Sequence, residues 1–154
     1  MKVLSIVIHA YNEEKTIEQL LNNVLAVNLV PYEKEIIVVN DGSQDGTLRV
    51  AEKFSEKITV VSHEVNRGKG AAVRTGFKKA TGKYVVVQDA DLEYDPHDFK
   101  EMLRVADAQD ARVVYGSRIL ALPDGSRKRG RLDFYLGGLF LTVITNVLYG
   151  TRIT

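Results

Sequence analysis

Asp89 and Asp91 are the residues whose spacing points most directly to chemistry. They follow the apolar run Lys83–Val87 and stand two positions apart, so in an extended backbone both carboxylates face the same side, as does Glu93. Two close carboxylates repel each other unless a cation lies between them. Hard oxygen ligands suit Mg²⁺ or Mn²⁺, and either ion can grip a diphosphate. The spacing therefore indicates a metal site, whereas solvated loop acids or a helix cap before Pro96 are the alternative.

Polar segments also follow three other apolar runs. They are His9–Glu14, Asn40–Thr47 and Asn66–Gly70. Asp41 stands at the exit of its run, where its carboxylate can accept hydrogen bonds from a base or a ribose. Ser43, Asp45 and Thr47 are the usual types of helix N-cap, and we interpret them as caps. His9 is interpreted as a structural residue rather than a catalytic base.

The glycines of the third polar segment allow a close backbone approach but match no standard nucleotide motif. Gly68, Gly70 and Gly76 have the spacing of neither the dinucleotide-binding fingerprint nor the P-loop. The sequence therefore gives no support to dinucleotide-binding or P-loop classes.

Short apolar runs alternate with helical patterns along the chain. Runs rich in Val and Ile predict strands at Val3–Ile8, Glu35–Val39, Ile58–Ser62, Lys83–Val87 and Arg112–Tyr115. Helical spacing predicts helices at Glu13–Val27, Asp45–Lys57, Lys69–Ala80 and Pro96–Ala108. This order predicts an α/β fold with a mostly parallel, doubly wound sheet and helices on both faces. Ligands of such sheets bind beyond the carboxyl ends of the strands, where the polar segments converge.

Composition bounds the class of protein. The chain has 154 residues, of which 45% are hydrophobic and 27% charged, as in a single globular domain. The net charge of +1 gives no overall attraction to nucleic acid, so no nucleic-acid partner is expected. There are no cysteines, which excludes thiolate ligands and cysteine nucleophiles. The N-terminal apolar run is too short for a signal peptide and is interpreted as the first strand.

The polar segments together resemble family-2 glycosyltransferases of the GT-A fold, and most closely the polyprenyl-phosphate sugar transferases among them. The resemblance covers the chain from about Val3 to its end. Five segments carry it in the same order, namely Ile6–Glu14, Val38–Ser43, Asn66–Ala72, Asp89–Leu92 and Gly116–Arg118. It implies a Rossmann-like GT-A nucleotide-diphospho-sugar transferase fold and a nucleotide-diphosphate sugar as donor.

The resemblance also implies roles for particular residues. Tyr11, Glu13 and Asp41 would surround the nucleoside. The wider set for the nucleotide sugar comprises Ala10, Asn40, Lys69, Gly70, Asp89 and Ala90. Asp89, Asp91 and Glu93 would hold Mg²⁺ or Mn²⁺, and Asp91 and Arg118 would be catalytic, with Arg118 meeting a phosphate. The chain departs from the family at His9, where a proline is usual, and at Asn40, where the first of two aspartates is usual.

The C-terminal part of the sequence changes composition. We expect a nucleotide-sugar-binding core at 1–123 and, at 124–154, a basic loop followed by an apolar helix of the same domain. Arg127, Lys128, Arg129 and Arg131 precede the apolar stretch Phe134–Tyr149, a pattern that suits an interfacial helix on anionic lipid. Its 16 residues span about 24 Å as a helix, short of the roughly 30 Å hydrocarbon core. A buried core helix is the alternative.

The resemblance implies that the acceptor is a polyprenyl phosphate, held by Arg131. Many relatives have serine where this chain has Tyr135. We therefore expect a peripheral protein at the cytoplasmic face of a membrane. Direct displacement would invert the anomeric carbon, and a phosphate acceptor, with its second pKa near 6, would need little help from a base. Relatives continue past this length, so we expect the chain to be part of a longer protein.

Two other functions stay open at this point. A family member that glycosylates a hydroxyl group would build polysaccharide or glycolipid, and it would need a general base. A non-catalytic subunit would keep nucleotide-sugar binding without turnover, although the retention of Asp89 and Asp91 counts against it. The sequence does not distinguish GDP-mannose from a UDP-hexose as donor.

Overall fold

The structure, a computed structural model, describes residues 2–116, 142–145 and 147. Four strands and four helices alternate over residues 2–108. The strands are β1 (Lys2–Ala10), β2 (Tyr32–Asp41), β3 (Thr59–His63) and β4 (Tyr84–Asp89). The helices are α1 (Ile17–Ala26), α2 (Thr47–Glu52), α3 (Lys69–Lys79) and α4 (Asp98–Ala108). The alternation predicted from the apolar runs is confirmed over this range.

The sheet is parallel throughout, in the order β3-β2-β1-β4. β1 and β2 lie in the centre and are almost entirely buried, which explains their near-continuous runs of Val and Ile. The strand order reverses at β1, so its carboxyl end lies between β2 on one side and β4 on the other. In open α/β sheets this switch point is where ligands bind.

Helices cover both faces of the sheet, as predicted. On one face, alternate β1 residues Leu4, Ile6 and Ile8 belong to the same core cluster as buried residues of α1, α2 and α4. On the other face, Val7 belongs to a smaller cluster with Ala72 of α3. A methyl group added to Gly76 would lie 2.3 Å from Val7 Cγ1, so α3 packs as close to the sheet as a glycine allows. This contact, near the C-terminal end of α3, holds the helix close to the centre of the sheet.

A charged network fastens α4 to the end of the sheet away from the polar segments. The Asp107 carboxylate accepts hydrogen bonds from Lys2 Nζ at 2.8 Å and from the Tyr32 hydroxyl at 2.9 Å. The hydrogen bonds from Lys2 and Tyr32 lower the pKa of Asp107 to about 2. Burial, together with the bond to Asp107, raises the pKa of Tyr32 to about 12. The amino ends of the strands are therefore closed by structural contacts, and the opposite edge is left for ligands.

The predicted fifth strand at Arg112–Tyr115 is wrong. These residues are irregular and pair with none of the four described strands, and Val113 is 64% and Tyr115 90% exposed. They line, with Val85 and Val87 of β4, a cavity of about 690 Å³ instead of extending the sheet. A β-rich composition forms a strand only where a neighbouring strand supplies hydrogen bonds and packing.

Most of the proposed C-terminal division, 124–154, lies outside the described residues. Thr142–Thr145 and Val147 are helical, within the stretch expected to form the apolar helix. Among the described residues, no helix is long and apolar enough to cross a membrane.

Candidate functional site at the carboxyl edge of the sheet

The carboxyl ends of β2, β1 and β4 place Asp41, His9 and Asp89 in neighbouring positions. The register pairs His9 with Asp89 on one side and with Val39 on the other, and Ala10 with Asn40. Asp41 is the last residue of β2. The convergence predicted from four separate polar segments is therefore present, and two parts of it differ in character.

We call the first part the β1–β2 side, formed by Asn12–Glu14, Asp41–Thr47 and His63. Asp41 lies at its centre and is fully buried. Its Oδ1 atom lies 2.6 Å from His63 Nδ1 and accepts a hydrogen bond from the backbone N–H of Arg67 at 3.0 Å. Burial opposes ionisation, but the hydrogen bonds from His63 and from the backbone of Arg67 and Gly68 outweigh it, so the pKa of Asp41 lies below its ordinary value. Asp41 is therefore a fixed carboxylate at neutral pH.

Three buried polar atoms next to Asp41 have no hydrogen-bond partner among the described residues. They are Asp41 Oδ2, His9 Nε2 and Asn40 Oδ1. Asp41 Oδ2 and His9 Nε2 lie 3.8 Å apart. Burial lowers the pKa of His9 and the field of nearby Asp41 only partly offsets it, so the imidazole is neutral at pH 7. Unpaired buried polar groups are costly and concentrate at functional sites.

The loops that follow β1 and β2 are locked together by hydrogen bonds. The backbone N–H groups of Asn12, Glu13 and Glu14 donate to the side chains of Ser43 (3.0 Å), Thr47 (2.8 Å) and Asp45 (3.2 Å) respectively. Gln44 N–H donates to Asn12 Oδ1 at 2.9 Å in return. Asp45 also accepts from the backbone N–H of Thr47 in the first turn of α2. The N-cap of α2 is Gly46, which makes no side-chain cap bond, so the interpretation of Ser43, Asp45 and Thr47 as N-caps is wrong. Their side chains are structural in another way, because they brace the loop after β1, and Asp45 also holds the first turn of α2.

The remaining residues expected around the nucleoside are divided between surface and interior. Tyr11 is 37% exposed, so its ring is available to a ligand. Glu13 accepts a hydrogen bond from Thr16 Oγ1 at 2.7 Å. Ala10 and Asn40 are buried, and the Asn40 amide donates to Ser62 Oγ at 2.8 Å. The amide at Asn40 thus ties β2 to β3, a contact in which an ionised aspartate could not donate.

We call the second part the β4 side, formed by Lys69 and Asp89–Glu93. Lys69 Nζ lies 2.6 Å from Asp89 Oδ1 and 2.8 Å from Asp89 Oδ2. Asp91 is exposed, and its carboxylate accepts a hydrogen bond from the backbone N–H of Glu93 at 3.0 Å. Ala90 between the two aspartates is buried and packs in the larger core cluster. This side has far fewer fixed contacts than the β1–β2 side.

The donor set on the β4 side fits a hard divalent cation that takes its other ligands from a substrate and water. No group of three His, Asp or Glu residues converges into a cage anywhere in 2–116, 142–145 or 147. Mg²⁺ in particular is usually bound by one or two carboxylates plus substrate phosphates. Asp89 and Asp91 at the ligand edge satisfy that requirement, whereas the predicted contribution of Glu93 stays a prediction.

Two residues singled out in the sequence cannot be placed. Arg118 and Arg131 lie outside the described residues.

The sequence analysis missed His63, although this residue occupies the end of β3 just as Asp41 and Asp89 end their strands. The rule that polar residues following strands meet at one edge would have found it. His63 Nε2 also lies 3.0 Å from Thr75 Oγ1 of α3, so it joins Asp41 to that helix.

A parallel α/β sheet with a buried carboxylate, a second pair of carboxylates and a glycine-rich helix start at its carboxyl edge is typical of nucleotide-binding domains. Comparison with known families agrees with this class. The model of glycosyl transferase family 2 matches residues 5–152. The chain therefore belongs to glycosyl transferase family 2, and its fold is the GT-A fold.

Three similar proteins illustrate the relationship. A dolichyl-phosphate beta-glucosyltransferase of Trichomonas vaginalis is 31% identical over 98% of this chain and 50% of its own length. A UDP-N-acetylglucosamine--dolichyl-phosphate N-acetylglucosaminyltransferase of Methanococcus voltae is 32% identical over 99% of this chain and 66% of its own length. A mannosyltransferase of Pyrobaculum calidifontis, solved with GDP-Man and Mn²⁺, has a TM-score of 0.58 and 28% identity over 67% of this chain and 32% of that one. The chain thus spans about half to two thirds of these curated relatives.

Proposed function

We propose that this chain is the donor-binding part of an inverting glycosyltransferase that moves a hexose from a nucleotide-diphosphate sugar to a polyprenyl phosphate. The observation that carries the proposal is the row formed by Asp41, His9 and Asp89 at the switch point, with Lys69 beside Asp89. A carboxylate suited to a nucleoside and a carboxylate suited to a diphosphate-bound cation are thereby held by β2 and β4, the two strands that flank β1. Relatives named for dolichyl-phosphate acceptors support the acceptor class.

The β1–β2 side would bind the nucleoside. Asp41 Oδ1 is occupied by His63 and Arg67 N–H, whereas Oδ2 has no partner among the described residues. A base or ribose group that donates a hydrogen bond would satisfy Oδ2, and Tyr11 offers an exposed ring for stacking. We propose that Ala10, Glu13 and Asn40 shape this pocket. The similar proteins include users of both UDP and GDP sugars by name, so the base is left open.

The β4 side would bind the diphosphate and a divalent cation. Asp89 and Asp91 would hold Mg²⁺ or Mn²⁺, with Glu93 nearby, and the bound ion would stabilise negative charge on the departing diphosphate. Lys69 and the backbone around Gly70 would contact the phosphates at the start of α3, where a helix N-terminus favours anions. Arg118 would add a second positive charge to the leaving group.

The acceptor would be a phosphate monoester on a membrane surface. Such a phosphate is mostly dianionic at pH 7, so its oxygen can attack the anomeric carbon without a strong general base. Val143, Ile144 and Val147 are helical and exposed, as expected of a helix that faces lipid. We propose that this helix and the preceding basic residues, including Arg131, hold the lipid phosphate at the cytoplasmic face of a membrane.

A binding panel would test the donor and the metal together. Thermal unfolding of the chain should be measured with UDP, GDP and their hexose conjugates, each with and without Mn²⁺, because a ligand of the native state raises the unfolding temperature. We expect one nucleotide series to stabilise the protein, and to do so more strongly with Mn²⁺. Asp89→Asn combined with Asp91→Asn should abolish the Mn²⁺-dependent part. Undiminished Mn²⁺-dependent binding by that double variant would remove the metal site.

A transfer assay with the full-length protein would test the acceptor. Radiolabelled hexose should appear in polyprenyl phosphate and not in a free sugar hydroxyl acceptor. Sedimentation with anionic vesicles should retain the protein at low salt and release it as salt rises, because charges are screened beyond about 10 Å at 0.1 M. Transfer to a hydroxyl acceptor, with no binding to vesicles of any composition, would replace the lipid acceptor with a soluble one.

A further inference from the structure

Lys69 occupies a position from which its side chain can reach two kinds of partner. It is the first residue of α3, directly after Gly68, whose φ of 84° turns the chain into the helix. The close contact of Gly76 with Val7 holds α3 against the sheet, so the backbone of Lys69 is fixed near the end of β4. Its side chain is 56% exposed. The ammonium group can therefore change partners without movement of the fold.

The first partner is Asp89. Lys69 Nζ contacts both carboxylate oxygens, at 2.6 and 2.8 Å. An ammonium in this position faces the same two oxygens that a divalent cation would need, and the two cations would repel each other at such a short distance. In the absence of nucleotide, a metal ion that binds Asp89 must therefore displace Lys69 or bind more weakly because of its positive charge.

The second partner is an anion at the start of α3. Gly68 carries no side chain to cap the helix, and the first turn contains no acidic residue. A methyl group added to Gly68 or Gly70 would meet no atom within 4 Å, so the space beside the helix start is open. The unsatisfied N–H groups and dipole of a helix N-terminus attract phosphate. A diphosphate there would offer Lys69 an ion pair in exchange for the one with Asp89.

We propose that Lys69 is a positioning residue that couples divalent-cation binding to nucleotide binding by exchanging Asp89 for the diphosphate. This inference rests on the proposed function of the site. In the nucleotide-free protein, Lys69 holds the Asp89 carboxylate in place and weakens metal binding. When the nucleotide arrives, its diphosphate draws Lys69 away, and Asp89 becomes available to the cation. By linkage, the metal must then strengthen nucleotide binding by the same factor.

The test compares wild type with Lys69→Met, which keeps most of the side-chain volume but removes the charge. Lys78→Met is the matched control, since Lys78 is an exposed lysine in the last turn of the same helix. Mn²⁺ affinity would be measured by electron paramagnetic resonance of the free ion, without nucleotide and with saturating UDP or GDP. The midpoint of urea denaturation would be measured for all three proteins to show that the fold is unchanged.

We expect Lys69→Met to raise the affinity for Mn²⁺ alone and to lower the affinity for the nucleotide. Mn²⁺ alone should bind about two- to fivefold more tightly, the size expected from loss of a partly exposed ion pair. UDP or GDP should bind about tenfold more weakly in the presence of Mn²⁺, because a charge-assisted hydrogen bond to phosphate is lost. The factor by which nucleotide strengthens Mn²⁺ binding should fall below the wild-type value, and the part that is left comes from direct contact between the ion and the diphosphate. Lys78→Met should match wild type.

Other outcomes would overturn the proposal in distinguishable ways. Equal or weaker binding of Mn²⁺ alone by Lys69→Met would show that Lys69 does not compete for Asp89, even if nucleotide affinity falls. An unchanged coupling factor would show that Lys69 does not exchange partners. If wild type bound Mn²⁺ but neither nucleotide, the proposed function would fail, and the competition at Asp89 would still be read from the metal titration alone. If no protein bound Mn²⁺, both proposals would fail.

Discussion

The β1–β2 side and the β4 side stand at the same edge of one sheet but are built in opposite ways. On the β1–β2 side, Asp41 is fully buried and its Oδ1 atom is held by two donors. On the β4 side, Asp91 is exposed and the partner of Asp89 is a half-exposed lysine. The β1–β2 side is braced before any ligand arrives and leaves buried acceptors such as Asp41 Oδ2 for a ligand, whereas the β4 side has carboxylates whose charge is only partly neutralised.

The contrast follows from the position of each strand. β2 lies between β1 and β3, so the loop after it is enclosed by loops on both sides and can be braced by them. Within the part of the chain that the structure describes, β4 pairs only with β1, and residues 112–116 do not extend the sheet beside it. A rigid pocket suits a planar base, whose shape is constant. An open carboxylate pair suits a cation that arrives with water and phosphate ligands.

The largest expected effect is at Gly42 on the β1–β2 side, and Gly70, which follows Lys69 of the β4 side in α3, serves for comparison. Gly42 has a φ of +70°, and an added methyl group would lie 2.6 Å from backbone atoms of Val65 and Asn66. We expect Gly42→Ala to lower the free energy of unfolding by about 3 kcal/mol, from left-handed strain and overpacking together. Gly70→Ala, with open space around it, should change stability by no more than about 1 kcal/mol. Urea denaturation of both variants measures the difference, and equal losses would contradict the contrast.

The next effect concerns the Asp41 carboxylate and its dependence on pH. Asp41→Asn should lower the free energy of unfolding by about 2 kcal/mol at pH 7, because it weakens charge-assisted hydrogen bonds with His63 and the backbone. The folded-state pKa of Asp41 lies below its ordinary value, so this stabilisation is complete above the unfolded-state pKa of about 4. It is lost as the pH falls through the folded-state pKa.

The gap between wild type and Asp41→Asn should therefore stay constant from pH 7 to about pH 5 and shrink below about pH 4. Urea denaturation at a series of pH values measures it. A gap that instead widened on acidification would show that the carboxylate gains no stability from its hydrogen bonds.

A smaller effect is expected where the two loops are joined. Thr47 is fully buried, and its hydroxyl oxygen accepts the backbone N–H of Glu13 at 2.8 Å. Thr47→Val keeps the shape and removes this acceptor, so we expect a loss of about 1 kcal/mol in unfolding free energy. Hydrogen exchange at the Glu13 amide should become faster, whereas exchange at Val86 in β4 should not. Unchanged exchange at Glu13 would mean that the loops do not depend on each other.

The residues that sequence analysis placed well are those that follow a strand. Asp41 and Asp89 could be predicted to converge because parallel strands bring their carboxyl ends to one edge. The apolar runs correctly predicted four strands. The fifth predicted strand, Arg112–Tyr115, does not form, because an apolar run becomes a strand only where a neighbouring strand pairs with it. The helix ends were also misjudged, since Glu13–Thr16 form a turn before α1 begins at Ile17.

The parts of the site that could not be predicted depend on distances across the fold. The sequence could place His63 at the same edge as Asp41, but it does not give the 2.6 Å contact between their side chains, which join residues 22 positions apart on different strands. The pairing of Lys69 with Asp89 likewise joins residues 20 positions apart. Ser43, Asp45 and Thr47 were interpreted as N-caps of their own helix, but their side chains accept hydrogen bonds from the backbone of the loop after β1, which lies 31 to 34 positions away.

The smallest expected effect on stability is at Asp91. This prediction distinguishes the β4 side from the β1–β2 side most clearly. Asp91 is exposed, and among the described residues its carboxylate accepts a hydrogen bond from the backbone N–H of Glu93, which an asparagine side chain can also accept. Asp91→Asn should therefore change the free energy of unfolding by less than about 0.5 kcal/mol. If the proposed metal site is correct, the same variant should lose most of the Mn²⁺-dependent increase in nucleotide affinity, because the amide is a weaker ligand than a carboxylate. Asp41→Asn should show the converse, with a large loss of stability and weaker nucleotide binding with or without Mn²⁺. Urea denaturation and nucleotide titration of the two variants would measure both quantities. An Asp91→Asn protein that was as destabilised as Asp41→Asn would mean that the β4 side is as fixed as the β1–β2 side. The division of the edge into a braced side and an open side would then not hold.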